Sequence, residues 1–248
     1  MLDVRPLSVS KVAVLRLNLV IPERSDPERE SVAQAWVAAG GDVTRLGRFW
    51  EPPPFDRDAV RIYGNDTFGL VLAQKLDLRL VSPSDALLTD LPQQWLGRNI
   101  IKLPLGLSST FTFPIFVKPC VPKQFRAAVY ASERELLDET SGLELETELL
   151  IANVVSFLAE GRSFLLNGTV LDFALYEGEA PLDGAFALLR QVADSPLIPH
   201  VCAVDVGLVE GCGWVVVEAN AAWGAGLNGC QAGRVLPAIA AATTLGEV

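Results

Sequence analysis

The stretch VCAVDVGLVEGCGWVVVEAN, residues Val201–Asn220, decides the fold. Apolar and β-branched residues dominate both ends, and the glycine-rich segment Glu210–Gly213 separates them, which is typical of a β-hairpin. If the loop contains an even number of residues, Asp205 lies directly opposite Glu218 on the facing strand. A loop with an odd number of residues would place these two side chains on opposite faces of the sheet.

Two opposed carboxylates between apolar strands repel each other and are costly to desolvate. Either one of them takes up a proton or a cation lies between them. Asn220 projects from the same face as Glu218, because side chains alternate along a strand. Asp205, Glu218 and Asn220 therefore form a hard oxygen-ligand set suited to Mg²⁺, completed by phosphate oxygens and water. The alternative is that one carboxylate lies at an exposed strand end and the two never meet.

Cationic side chains upstream could supply the other half of a nucleotide site. Lys118 ends an apolar strand and Lys123 follows in a proline-containing loop. An anion such as phosphate would satisfy a lysine in that position, although the lysine could also reach solvent. Glu160 and Arg162 share one face of a strand that precedes the hairpin signal Asn167–Gly168. Arginine is suited to phosphate, and a surface salt bridge between Glu160 and Arg162 is the alternative.

Composition excludes several classes of protein. Half of the 248 residues are hydrophobic, so the chain can bury the core of one large or two small domains. The net charge of −10 opposes binding to nucleic acid or to anionic membranes. The single histidine and the lack of a G-x-S-x-G motif argue against a Ser-His-Asp hydrolase, and a histidine-rich zinc site is excluded. Without a signal-peptide pattern or a long apolar run, and with four cysteines expected to be reduced, we predict a cytoplasmic protein.

The first hundred residues alternate between strand and helix patterns. We predict a strand at Lys11–Leu19, a helix from Asp26 to Ala39, a strand at Val60–Tyr63 and a helix at Thr67–Leu76. This pattern indicates a small α/β unit. The segment Leu103–Pro114, which is rich in Pro, Gly and Ser, is a suitable domain boundary, and the hairpin patterns follow it.

Three motifs, taken in order, resemble the ATP-grasp superfamily. They are FPIFVKP (Phe113–Pro119), ELLIANVVSFLAEGRSFLLNGTVL (Glu148–Leu171) and DVGLVEGCGWVVVEAN (Asp205–Asn220). In finer detail, YGNDTF (Tyr63–Phe68) and VKPCVPKQFRAAVY (Val117–Tyr130) resemble the clade named for two arginines and a lysine. The resemblance covers most of the chain and is weakest in the first sixty residues.

The resemblance implies an α/β (α+β) fold in two domains. A small N-terminal α/β pre-ATP-grasp domain would span residues 1–105. An ATP-grasp domain would span residues 106–248, with one lobe at about 110–155 and the other at about 156–248. The antiparallel sheets of the two lobes would clamp ATP between them.

The resemblance also implies roles for individual residues. Lys118 would contact the nucleotide phosphates with help from Lys123, and Arg162 would bind phosphate and the forming acyl phosphate. Two departures from the family stand out: the loop between the two lysines lacks glycine, and Asn153 stands where relatives often carry an acid. The residues assigned to the nucleotide are Lys118, Lys123, Leu150, Ile151, Ala152, Asn153, Val154, Glu160 and Arg162. The residues assigned to Mg²⁺ are Asp205, Glu218 and Asn220.

The implied function is that of a Mg²⁺- and ATP-dependent carboxylate–amine ligase. It would act through an acyl phosphate on an amino acid, peptide or protein, with Tyr63–Asn65 near the substrate cleft and Trp223–Asn228 on the acceptor side. The glycine-poor loop leaves open a nucleotide-binding module without turnover, and a small-molecule kinase is a further alternative. The sequence indicates neither the substrates nor the oligomeric state.

Overall fold

A computed structural model describes residues 16–24 and 26–246. The N-terminal unit contains a three-stranded parallel sheet with β1 in the middle, in the order β2-β1-β3. Leu19, Val20 and Ile21 of the central strand are fully buried. The elements of this unit are β1 (Asn18–Pro22), α1 (Pro27–Ala38), β2 (Asp42–Leu46), β3 (Val60–Ile62), α2 (Asp66–Leu76) and β4 (Leu78–Leu80).

The predicted helices of this unit are confirmed. Asp26 caps α1 by accepting a hydrogen bond from the Arg29 backbone N–H, and Pro27 occupies the first turn. Asn65 caps α2 in the same way. The strand predicted at Lys11–Leu19 begins at Asn18 in the described part of the chain. Residues 11–15 of that prediction lie outside the described residues.

A second sheet is antiparallel, with the strand order β5-β8-β6-β7. Its inner face packs around Leu105, Val117, Tyr130, Leu136 and Leu149. Apart from the Tyr130 hydroxyl, which donates to the Arg126 carbonyl, the cluster is apolar, so its burial stabilises this face of the sheet. The elements of this part are α3 (Leu87–Asp90), α4 (Gln93–Leu96), β5 (Ile100–Pro104), a 3₁₀ helix (Leu105–Thr110), β6 (Ile115–Pro119), β7 (Ala128–Tyr130), α5 (Glu133–Glu139) and β8 (Glu148–Ala152).

A third sheet is also antiparallel, with the order β10-β9-β11-β12. Cys202 and Val204 of one face pack in a cluster with Leu188 and Leu189 of α6, whereas Ala203 of the other face joins a cluster that contains α1 and α7. The elements are β9 (Phe157–Leu166), β10 (Thr169–Gly178), α6 (Asp183–Ala193), β11 (Val201–Val209), β12 (Gly213–Asn220), α7 (Ala232–Ala241) and β13 (Thr243–Leu245).

These sheets confirm the predicted mixed α/β fold. β5 precedes the proposed boundary at residue 105 but pairs with β8 of the second sheet. β13, near the end of the described chain, pairs with β4 of the N-terminal unit. We therefore propose a boundary ahead of β5, with the last strand returning to the N-terminal unit. Within the described ranges, the structure has no helix that combines the length and apolar character needed to span a bilayer.

Candidate active site

The β11–β12 hairpin pairs Asp205 with Glu218, as the sequence predicts, but by a different route. The expectation of an even loop is wrong. Gly213 belongs to β12 and pairs with Val209, so the loop contains three residues. A β-bulge at Val217 supplies one extra residue between the pairs Val206–Val216 and Asp205–Glu218. The odd loop and the bulge offset each other, and the two carboxylate side chains share a face.

Arg162 of β9 lies opposite Asp205 of β11 and forms a two-pronged ion pair with it. Its Nε donates to Oδ1 at 2.7 Å and its Nη2 donates to Oδ2 at 2.6 Å. A third donor, Nη1, reaches the carbonyl of Gly226 at 3.0 Å. Glu160 instead accepts a hydrogen bond from the Tyr176 hydroxyl at 3.0 Å. The alternative of a surface salt bridge between Glu160 and Arg162 is therefore wrong.

Burial sets the electrostatics of this pair, since Asp205 is only 2% exposed. Burial raises the pKa of Asp205 above its ordinary value, the Arg162 guanidinium opposes this rise, and the charge of Glu218 adds to it. For Arg162, burial lowers the pKa, but hydrogen bonding to Asp205 and its charge outweigh that effect, so the pKa is raised. A charge this deeply buried is costly unless an opposite charge or hydrogen-bonding groups accompany it.

Lys118 of β6 brings a positive charge from the second sheet close to Glu218. Its Nζ lies 3.8 Å from Glu218 Oε2, which joins β6 to β12 across the gap between the two sheets. Asn220 donates from Nδ2 to the other oxygen of Glu218 at 2.9 Å. The alternative of a lysine that only reaches solvent is therefore wrong. Arg162, Asp205, Glu218 and Lys118 form one row of charges, in which two cations flank two adjacent carboxylates.

Lys118 and Glu218 also line a cavity of about 150 Å³ between the second and third sheets. Phe116 and Phe157 contribute to its apolar part, which suits the flat face of an adenine ring. Most of the segment predicted to hold adenine reaches this cavity. The members that line it are Leu150, Ala152, Asn153 and Val154.

Ile151 differs from its neighbours because it points to the opposite face of β8. It is 3% exposed and packs in the core of the second sheet. β8 pairs with β5 on one edge and with β6 on the other, so its ladder bonds extend to Ala152. Backbone groups not committed to the sheet begin in the following loop, where the N–H of Asn153 donates to the Asn99 carbonyl at 3.4 Å. This loop is the suitable place for backbone contacts to a base.

Lys123 lies away from the row of charges. Its Nζ is 2.6 Å from Asp66 Oδ2 on α2, so the loop after β6 is attached to the N-terminal unit. Lys123 has φ 67°, a left-handed conformation that is uncommon for a residue with a side chain. It lines an open cleft of about 530 Å³ together with Asn65 and Thr67. In this conformation the predicted helper lysine borders that cleft.

The predicted acceptor segment 223–228 is anchored to the N-terminal unit. The Tyr63 hydroxyl donates to the Ala225 carbonyl at 2.8 Å. The Glu28 carboxylate accepts from the backbone N–H groups of Leu227 and Asn228 at 2.9 and 2.8 Å. Gly226 packs so closely against this carboxylate that an added Cβ would lie 2.6 Å from Oε2. These hydrogen bonds fix the backbone of this segment, including the Gly226 carbonyl that accepts a hydrogen bond from Arg162.

The sequence analysis missed Arg98, a buried residue on the cavity wall. Its guanidinium donates to the carbonyls of Leu96, Val216 and Val217 and lies 5.7 Å from the centre of the Phe157 ring. Burial lowers its pKa, and the charge of Glu160 opposes this shift. No local pattern marks this arginine, because two of its three hydrogen-bond acceptors are more than a hundred residues away in sequence.

The donor chemistry of the predicted metal ligands fits Mg²⁺, which prefers carboxylate and amide oxygens. Asp205 and Glu218 are cross-strand partners, and Asn220 contacts Glu218. Over residues 16–24 and 26–246, no three His, Cys, Asp or Glu side chains form a cluster able to hold a metal ion. An ion at Asp205 and Glu218 would therefore need further oxygens, which Asn220 and phosphate groups can supply.

Comparison with solved structures shows the same fold in several proteins, two of which are described as ligases. A RimK-domain ATP-grasp protein from Sphaerobacter thermophilus is 14% identical, with a TM-score of 0.54 over 82% of this chain and 90% of that chain. The ATP-grasp ligase PsnB, solved with a minimal precursor, Mg and ADP, is 12% identical, with a TM-score of 0.53 over 90% and 97%. An L-amino acid ligase from Bacillus licheniformis is 15% identical, with a TM-score of 0.55 over 83% and 66%.

At these identities the likeness establishes the fold alone, and no curated protein matches the sequence. The family itself is established by a family model that matches residues 95–238 and describes an ATP-grasp domain, family 2 of the clade named for two arginines and a lysine. This match covers more than half of the chain and includes the row from Lys118 to Glu218. The resemblance inferred from the motifs is confirmed. The chain belongs to the ATP-grasp superfamily, in family 2 of the two-arginine, one-lysine clade.

Proposed function

We propose that the protein is a Mg²⁺- and ATP-dependent ligase that joins a carboxylate to an amine. The row of Arg162, Asp205, Glu218 and Lys118, two carboxylates flanked by two cations beside the intersheet cavity, carries this proposal. A cavity with an apolar part for a base and a charged edge for phosphates matches the two ends of a nucleotide. The proposed chemistry needs no protein nucleophile.

The cations of the row would change partners when the nucleotide arrives. In this structure, Arg162 neutralises Asp205 and Lys118 lies near Glu218. Phosphate oxygens would attract both cations, and the carboxylates would then be free to hold Mg²⁺ together with Asn220. Bound Mg²⁺ would neutralise charge on the phosphates and orient them. Because each buried charge exchanges one partner for another, none is left unpaired.

The reaction would proceed in two displacements. A carboxylate oxygen of the first substrate attacks the γ-phosphorus, its bond to phosphorus forms, and the bond to the leaving ADP oxygen breaks. The amine then attacks the acyl carbon, the carbon–nitrogen bond forms, and inorganic phosphate departs while the amine loses a proton. Arg162 and Lys118 would stabilise the charge on the transferred group, so catalysis rests on positioning and electrostatics.

An amino acid or a peptide is the proposed substrate class. Two of the similar proteins support it by their descriptions, an L-amino acid ligase and the ligase PsnB, which was also solved with a precursor peptide. The cleft lined by Asn65 and Lys123 would receive one substrate, and the segment 223–228 would border the other. Four free cysteines agree with the proposed cytoplasmic location, where thiols stay reduced.

A nucleotide-binding module without turnover is the second candidate. The ion pair between Lys123 and Asp66 favours it, because this lysine contacts the N-terminal unit instead of the intersheet cavity. ADP release during incubation with mixtures of amino acids or peptides distinguishes the two candidates. The ligase predicts ADP formation that depends on both a carboxylate and an amine, and a binding module predicts none.

Calorimetric titration with ATP tests the site itself. We expect binding that requires Mg²⁺ and is lost in the double variant Asp205→Ala with Glu218→Ala. A matched control replaces two exposed acids that do not line the cavity, Asp138→Ala with Glu144→Ala, and should bind as the wild type does. ATP binding that is equal in all three proteins would refute the assignment of the metal ligands.

A further inference from the structure

We propose that Arg98 is a positioning residue that holds the β12 bulge and thereby keeps Glu218 opposite Asp205. The inference rests on the proposed function only in so far as Glu218 is a metal ligand there. That Arg98 holds the bulge is a statement about the nucleotide-free protein, and it can be tested without nucleotide. Arg98 itself belongs to neither of the two strands that it aligns.

The need for the bulge follows from the hairpin loop. With three loop residues and regular pairing, Val217 would lie opposite Asp205 and Glu218 would lie opposite Val204. Val204 packs in the apolar cluster beneath α6, where a carboxylate has no partner. The extra residue at Val217 moves Glu218 to the face that carries Asp205 and Arg162. The charged row therefore exists only while the bulge is maintained.

A bulge interrupts the ladder and leaves backbone groups that need other partners. Arg98 supplies donors at this point. Nη1 donates to the Val216 carbonyl at 3.0 Å and Nη2 donates to the Val217 carbonyl at 3.1 Å. These carbonyls belong to the last regular residue and to the inserted residue of the bulge. One guanidinium therefore bridges the position at which the register changes.

The guanidinium is held in place on its other sides. Nη1 also donates to the Leu96 carbonyl at 2.9 Å, which ties the group to the end of α4. The Phe157 ring lies 5.7 Å from its central carbon, and Arg98 is 9% exposed. A planar fork with fixed donors suits two adjacent carbonyls better than the single ammonium of lysine does. The arrangement fixes the bulge relative to the cavity wall.

Amide hydrogen exchange on the nucleotide-free protein tests whether Arg98 holds the bulge. In Arg98→Met, exchange at residues 215–219 should rise about tenfold or more, because two charge-assisted hydrogen bonds at the bulge are lost. Arg61→Met is the matched control, since Arg61 also donates to two backbone carbonyls but lies on β3. It should leave exchange at residues 215–219 unchanged. An equal rise in both variants, or a rise in Arg98→Met spread evenly over the chain, would overturn the proposal.

Deletion of Val217 provides the second test. It removes the inserted residue, so regular pairing from the three-residue loop then places the glutamate of β12 opposite Asp205 without a bulge. The readout is the binding of Mn²⁺ in the presence of a non-hydrolysable ATP analogue. Arg98→Met should weaken binding on the order of 10- to 100-fold, the range for residues that orient metal ligands. Combining it with the deletion should restore both Mn²⁺ binding and slow exchange at the remaining β12 amides.

Failure of the proposed function and failure of the role of Arg98 give different results in these two tests. If the wild type does not bind Mn²⁺ with the analogue, the proposed function fails, and exchange with its rescue by deletion of Val217 still decides the role of Arg98. If the wild type binds and the combined variant recovers neither binding nor slow exchange, Arg98 acts only as a general structural residue. That result would overturn the positioning role.

Discussion

Arg162 and Asp205 face each other across β9 and β11 with two parallel hydrogen bonds of 2.7 and 2.6 Å. Their side chains are 10% and 3% exposed. Attraction in such a buried pair is strong, but both groups have lost most of their hydration. The pair therefore contributes little net stability relative to apolar residues, whereas the loss of one member leaves the other uncompensated.

Arg162→Met should lower the free energy of unfolding by about 3–5 kcal/mol, the usual cost of breaking a buried ion pair. Urea denaturation followed by tryptophan fluorescence measures the change. Arg234→Met is the control, because its guanidinium also pairs with a buried aspartate, Asp172, but its own side chain is half exposed. That variant should lose less, about 1 kcal/mol, because Asp172 keeps its hydrogen bond from the Gln231 backbone N–H and water can replace the half-exposed guanidinium. Equal losses in both variants would contradict the special position of Arg162.

Mg²⁺ without nucleotide should bind the wild type weakly, because Arg162 already occupies both oxygens of Asp205. In Arg162→Met these oxygens are free, so the affinity of the nucleotide-free protein for Mn²⁺ should rise. Affinity for ATP should fall in the same variant, since a phosphate partner is lost. Electron paramagnetic resonance of Mn²⁺ gives the first quantity and calorimetry gives the second.

The opposite signs of these two changes distinguish partner exchange from simple damage to the site. A misfolded site would lose affinity for both the ion and the nucleotide. Arg234→Met again serves as control, because it releases a carboxylate that lies outside the charged row. It should change neither affinity. Tight binding of Mn²⁺ to the nucleotide-free wild type would refute the exchange.

The facing of Asp205 and Glu218 could be predicted because apolar alternation places both strands and the glycines mark the turn. The loop length could not be predicted, since Gly213 can belong either to a turn or to a strand. The prediction of the pair succeeded only because the bulge at Val217 offsets the odd loop. A bulge depends on contacts outside the hairpin, here those of Arg98, and the hairpin sequence does not encode them.

The ion-pair partner of Arg162 also could not be predicted from local sequence. Glu160 is two residues away and shares its face, so local spacing offers it as a partner. Asp205 is 43 residues away and becomes adjacent only when β9 and β11 pair. Periodicity determines which face a side chain occupies, whereas strand order determines its neighbours. The strand order, and with it the pairing of β9 with β11, is known only from the folded structure.

Thiol reactivity should differ sharply among the four cysteines. Burial raises the pKa of Cys202 and of Cys230 to about 12, so at pH 8 almost none of either thiol is ionised. Cys120 is buried as well, and burial raises its pKa. Cys212 is exposed in the β11–β12 loop. A thiol reagent at pH 8 should therefore label one cysteine quickly in the native protein and all four in denaturant.

Cys212→Ser provides the control, because it should abolish the fast reaction and leave the denatured count one lower. Rapid labelling of a second site in the native protein would show that a buried thiol is accessible. Since a thiolate forms as pH rises towards its pKa, labelling of Cys202 and Cys230 should accelerate between pH 8 and pH 10. Their rates should still remain below that of Cys212.

The ion pair between Lys123 and Asp66 should hold the loop after β6 against the N-terminal unit without adding much stability. Lys123 is 72% exposed, and exposed pairs contribute less than about 1 kcal/mol. Asp66→Asn should therefore leave the urea midpoint nearly unchanged while tryptic cleavage after Lys123 and Arg126 becomes faster. Because the variant frees Lys123, its affinity for ATP at low salt should exceed that of the wild type, and this excess should disappear at high salt.

Asp77→Asn is the control, because it disrupts the exposed pair of Asp77 with Arg57 elsewhere on the N-terminal unit. It should change neither cleavage nor affinity. Weaker ATP binding in Asp66→Asn would instead mean that the docked position of Lys123 is the one that binds nucleotide.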